Sequence, residues 1–131
     1  MKKPRQDSIN FMEDRLSSHS KVSNLERLSD YYYLIKRSSN LRDIRLLITD
    51  EYTVGIADLI EHKKNYPEMN AILTVSSWNG YTKSVKNEAK KECIGIFVPG
   101  ELLGALNIDE FWKYIKTDNE GEPINFGGRS S

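Results

Sequence analysis

Residues 71–99, AILTVSSWNGYTKSVKNEAKKECIGIFVP, decide how the chain is read. A short apolar run, Ala71 to Val75, stops at Ser76-Ser77-Trp78-Asn79-Gly80, a helical pattern follows with Thr82 placed as its cap, and a second apolar run spans Ile94 to Val98. Short apolar runs bounded by turn residues are buried strands, and two of them joined by a helix pair in parallel through a right-handed crossover. Both strands then leave the sheet on one edge, the edge where open α/β sheets hold their ligands.

Upstream, "IRLLIT" (Ile44 to Thr49) predicts another strand of the same kind, and "VGIADLIEHKKNY" a crossover helix with Ile56, Leu59 and Ile60 turned inward. Downstream, "GELLGALN" and "DEFWKYIK" predict one or two short closing helices, with Asp109 capping the second. The segment 1–40 is polar and carries two helical patterns, Ile9, Met12 and Leu16 in one and Leu25, Leu28, Tyr32 and Ile35 in the other, with Ser23 or Asn24 as cap of the second. Tyr31 to Tyr33 are read as packing residues rather than base-stacking ones. Residues 118–131 lack periodicity and are rich in Gly and Ser, so they predict a loosely docked tail. The organisation expected is a helical segment 1–40, an α/β core 41–117 and the tail, together one domain in two or three layers around about three parallel strands.

Composition narrows the class. At 131 residues the chain holds one core, and Lys plus Arg equals Asp plus Glu at 19 each, so no net field draws it to nucleic acid or to a membrane. The single cysteine, Cys93, has no intrachain partner and is expected to be a small buried residue in a reducing compartment. Charged residues interrupt every apolar stretch of membrane length, and the expectation is a cytoplasmic protein with no membrane partner.

The predicted strand exits bring chemistry together. Asp50 and Glu51 follow the first strand, Ser76 to Gly80 the second, and Pro99, Gly100 and Glu101 the third. Ser76, Ser77, Asn79 and Thr82 should converge with Asp50, Glu51 and Glu101 in one shallow pocket flanked by Trp78. Gly80 allows a sharp turn, and free amides at a helix start suit a phosphate or a magnesium ion bridging carboxylate and ligand. The plainer reading is that these residues cap a helix and turn the chain, because neither a GxGxxG nor a phosphate-loop pattern is present. His19 and His62 lack a third ligand at metal spacing. On the second crossover helix, Lys83, Lys86 and Lys90 form a basic stripe that can meet phosphates, assisted by Lys2, Lys3 and Arg5.

The same stretch resembles the C-terminal half of the Mrr-like restriction endonuclease domain, within the PD-(D/E)XK nuclease superfamily. The resemblance rests on a strand ending in small Ser/Thr residues, Tyr81-Thr82-Lys83 at a helix start, Ala89 in that helix, the strand Ile94 to Val98, and Glu101-Leu102-Leu103 opening a closing helix. It implies a restriction-endonuclease-like fold and magnesium-dependent cleavage of DNA, with a hairpin supplying one acid and the next strand an acidic residue or Gln two positions before a lysine. The matching strand here reads LLITDEYT and contains no lysine, and SSNLRDIR ahead of it offers only Asp43. Glu61-His62-Lys63 and Glu88-Ala89-Lys90 fall inside helical patterns and are read as solvated faces.

Three functional readings follow. The first is a non-catalytic nuclease-like module that meets nucleic acid or a protein partner. The second is a small Rossmann-like domain binding a phosphate-bearing small molecule at residues 76–82. The third is a divergent magnesium-dependent nuclease using Asp50 and Glu51. The bare edges of a small sheet add a homodimer to the expectations.

Overall fold

The protein is described as a computed structural model for residues 1–117, 119–121 and 128–129. Among these the element order is α1 (Gln6–Ser17), β1 (Val22–Ser29), β2 (Tyr32–Arg37), β3 (Ile44–Thr49), β4 (Thr53–Val54), α2 (Ile56–Asn65), β5 (Ala71–Thr74), β6 (Gly80–Thr82), α3 (Lys83–Lys91), β7 (Gly95–Phe97), α4 (Pro99–Ala105), a 3-10 turn (Phe111–Lys113) and β8 (Gly128–Arg129). A mixed five-stranded sheet runs β1-β2-β3-β5-β7, and a small parallel sheet runs β4-β6-β8. The fold is α/β.

The expected parallel core is present: β3 pairs in parallel with β5, and β5 with β7. Ile44, Leu46, Leu47, Ile48 and all of β5 are buried, as a strand covered on both faces requires. One face packs Ile44, Leu46, Ile48, Leu73 and Phe97 under α1, α4 and the 3-10 turn. The other packs Leu47, Ile72 and Ile96 under α2 and α3, through Leu59, Val85 and Ala89. The strands therefore form the middle of three layers.

The N-terminal segment corrects the sequence reading. Ile9, Met12 and Leu16 do form the inner stripe of α1, but Leu25, Leu28, Tyr32 and Ile35 do not lie on a helix. They belong to an antiparallel hairpin whose register sets Leu25 opposite Ile35 and Arg27 opposite Tyr33. β2 continues antiparallel onto β3, so the sheet crosses residue 40 without a break. Spacings of three and four imitate a helix by accident. The aromatic and branched run Tyr32 to Ile35 is strand material, and Tyr31 turns the hairpin with φ +66°.

Smaller differences have equally local causes. On α2 it is Leu59 and His62 that turn inward, while Ile56 and Ile60 face solvent. Asp109 caps no helix, because Arg42 engages it through the backbone amide and the guanidinium at 2.9–3.2 Å. Only Phe111–Lys113 of DEFWKYIK winds, as a 3-10 turn. In the tail, Gly128 and Arg129 pair with β6 in an ordered strand, and residues 118, 122–127 and 130–131 lie outside the described residues. Cys93 is exposed rather than buried: it ends α3 with φ +60°, its amide bonding Lys90 O while the Ile94 amide bonds Ala89 O.

Candidate functional site

Asp50 and Glu51 follow β3 in an extended chain, so their side chains leave on opposite faces of the sheet. Asp50, almost fully buried, is held on the first path. Its Oδ1 accepts from Ser76 Oγ at 2.5 Å and from Asn79 Nδ2 at 2.7 Å, and its own amide donates to Lys2 O at 2.9 Å. Asn79 Nδ2 also donates to Thr74 Oγ1 at 3.0 Å, and Thr74 Oγ1 donates to Glu51 O at 2.5 Å. Both Asn79 amide hydrogens are thereby engaged. Its carbonyl Oδ1 is buried and has no hydrogen-bond partner among the described residues.

Glu51 turns the other way. Its Oε1 lies 2.9 Å from Nε2 of His62, a residue of α2 only 1% exposed. Asp58 sits beside it, at the start of α2, accepting from the Gly55 amide at 2.9 Å. Burial alone would raise the Glu51 carboxyl, but the contacts with His62 and Asp58 outweigh it and hold the group below its usual range. Asp58 is pushed up instead, chiefly by burial, with the Gly55 amide opposing and the facing Glu51 adding to the rise. Sequence reasoning passed over His62 as part of a solvated face, and the one available signal was a histidine three residues after Leu59 on the inner stripe.

The remaining predicted site residues separate. Thr82 caps α3 as expected, its Oγ1 accepting from the Val85 amide at 3.1 Å. Glu101 turns inward, where its Oε2 accepts from Tyr81 OH at 2.7 Å and its Oε1 from the Val98 amide at 3.1 Å. Lys86 joins them, 3.0 Å from Tyr81 OH and 3.4 Å from Glu101 Oε2, with Nζ 4.6 Å from the centre of the Tyr81 ring. Burial drives its ammonium below the usual lysine range, against the pull of Glu101. With its side chain only 13% exposed, Lys86 drops out of the predicted stripe and leaves Lys83 and Lys90 on the outer side of α3. Sequence spacing had not marked Tyr81 as a partner for either charge.

What does assemble at the strand exits is a cavity of about 360 Å³ lined by Val75, Ser76, Ser77 and Asn79 from one exit, Val98 to Gly100 from the next, and Phe11 of α1. No lysine or arginine lines it. The amides that sequence spacing offered to a phosphate are already used: Asn79 N donates to Ser76 O at 2.9 Å, and Gly80 N to Tyr52 O at 2.8 Å. Trp78 projects into solvent at 58% exposure, and Tyr52 at 62%. Between them, Arg129 lays its guanidinium 4.4 Å from the centre of the Tyr52 ring and donates to Trp78 O at 2.7 Å.

Among the described residues no group of three or more His, Cys, Asp or Glu side chains is placed to hold a metal ion, and no helix is long and apolar enough to cross a membrane. His19 makes local contacts instead: its Nδ1 accepts from the Lys21 amide at 3.1 Å, which leaves Nε2 to donate to Leu103 O at 3.0 Å. Comparison with protein-family models, curated proteins and solved structures finds no match to this chain.

Proposed function

We propose that the chain is a non-catalytic nuclease-like module that binds single-stranded nucleic acid along its strand-exit edge. The observation that carries the reading is the fate of Asp50 and Glu51. A magnesium site for phosphodiester hydrolysis needs carboxylates converging on one point, with a lysine to orient water. These two diverge, one bound by Ser76 and Asn79 and the other by His62. A hairpin ahead of β3 agrees with the resemblance to Mrr-like nucleases, although it is built by β1 and β2 rather than by residues 38–45.

Binding is supported at the same edge by two exposed aromatic rings with an arginine between them, an arrangement that stacks bases and attracts backbone phosphates. The test is twofold. Incubation with magnesium and duplex or single-stranded DNA should yield no cleavage, and a labelled oligonucleotide should bind with salt-sensitive anisotropy that weakens about tenfold in Trp78→Ala. Cleavage that disappears in Asp50→Ala or Glu51→Ala overturns the non-catalytic reading. An oligonucleotide that fails to bind at low salt overturns the nucleic-acid reading.

A further inference from the structure

The geometry points to the strand-exit cavity as a receptor for a flat, uncharged ring that presents an N–H donor, a ligand of nucleobase chemistry. The inference rests on the binding surface proposed above and names what enters it. Three features of the cavity select this chemistry.

The first is an unmet acceptor. Asn79 is 5% exposed, its amide nitrogen is committed to Asp50 and Thr74, and its Oδ1 is left without a donor. The amide cannot exchange its two ends without setting that oxygen against the Asp50 carboxylate. A buried acceptor left unpaired costs about 1–3 kcal/mol, which an incoming N–H recovers.

The second is charge. Asp50 stands behind the wall formed by Ser76 and Asn79, no cation lines the space, and Ser76 spends its hydroxyl hydrogen on Asp50. An anion entering here meets an acceptor and a carboxylate, so the cavity repels the phosphate group that sequence spacing suggested.

The third is shape. Phe11, Val75, Val98 and Pro99 supply apolar walls, and about 360 Å³ lies at the low end of the range for small-ligand sites. A planar ring satisfies the walls and the acceptor together.

The chemistry has two sources, a free nucleoside or a base of a bound strand, and the experiment separates them. Amide and indole signals of the full chain are followed by two-dimensional NMR during titration with adenosine, N6,N6-dimethyladenosine, inorganic phosphate and a single-stranded oligoadenylate. Two variants accompany the native chain. Asn79→Leu removes the acceptor. Gly100→Leu plugs the cavity at a position where an added Cβ meets no atom within 4 Å, so the fold is retained.

Adenosine is expected to shift Ser77, Asn79 and Gly100, to bind about tenfold more weakly in both variants, and to outcompete its dimethylated analogue by a similar factor, the amount one well-made hydrogen bond supplies. If only the oligoadenylate produces this pattern, with the same loss in Gly100→Leu, the base arrives as part of a strand. Phosphate binding as tightly as adenosine overturns the ligand assignment. Oligoadenylate binding that perturbs Trp78 and is unchanged in Gly100→Leu also overturns it, but leaves the binding surface standing. A flat titration with every probe removes both.

Discussion

Asp50 is the residue on which the strand-exit edge depends. Its Oδ1 receives both Ser76 and Asn79, so truncation leaves two donors unpaired in a buried place. Asp50→Ala should therefore cost about 2–4 kcal/mol in urea unfolding, and Asp50→Asn, which keeps an acceptor, clearly less. Equal losses would place the cost in packing rather than in the hydrogen bonds. Glu51 makes a prediction in pH. A carboxyl held below its ordinary value in the folded chain adds stability above that value, about pH 4.3, and loses it as the pH falls through the depressed folded value. Glu51→Gln should cost about 1 kcal/mol at pH 7, at the low end for a bond to a charged group because Glu51 is partly solvated. The gap from native should close below about pH 4. Asp58 works with the opposite sign: its raised value makes ionisation less favourable in the folded chain, so its contribution falls as the pH rises through the unfolded value.

Among the elements, the end of α3 carries a clear local conflict. The Cys93 and Ile94 amides close the helix in the paired pattern that favours glycine in the left-handed position, and a cysteine occupies it at φ +60°. Its side chain is exposed, so little packing is lost on removal. Cys93→Gly should stabilise the chain by about 1 kcal/mol and raise Tm by a few degrees, measured by calorimetry. A lower Tm would mean that the thiol makes a contact worth more than the strain. The β1–β2 hairpin teaches the complementary lesson. β1 is an edge strand with mostly exposed residues, so it carries no alternation of apolar and polar positions by which a strand is read. Pairing with β2, itself held by β3, makes it a strand.

In the whole molecule, β1 and β7 are the edges of the larger sheet. β1 is the longer, but register shifts between Val22 and Asn24 and between Arg27 and Ser29, together with the charges of Glu26 and Arg27, limit pairing with a second copy. A homodimer formed through this edge is predicted to be weak. Sedimentation should show a mass that rises with concentration over the micromolar range, and a constant single-chain mass would remove the dimer. One buried cation ties distant parts together: Arg37 donates to the carbonyls of Arg42, Leu106, Ile108 and Asp109 at 2.7–3.1 Å, joining the β2–β3 loop to the segment after α4. Asp109 in turn holds Arg42, and that contact draws the Asp109 carboxyl down to about 2.

The sequence by itself determined the parallel core, because strands buried on both faces must be continuously apolar and leave an unmistakable run at Ile44, Ala71 and Ile94. It also determined the Thr82 cap and the gathering of Ser76, Ser77 and Asn79 at a strand exit, since crossover handedness leaves parallel strands one common edge. Tertiary structure alone decided the rest. Whether Lys86 lines a surface or enters the core, whether His62 is solvated or meets Glu51, and whether Asp50 and Glu51 converge or part are settled by which partner each side chain finds across the fold. Those partners lie 11 to 29 residues away, in the Glu51–His62 and Asp50–Asn79 contacts, beyond the reach of any local pattern. Burial then fixes the charge states that exposure would have left ordinary.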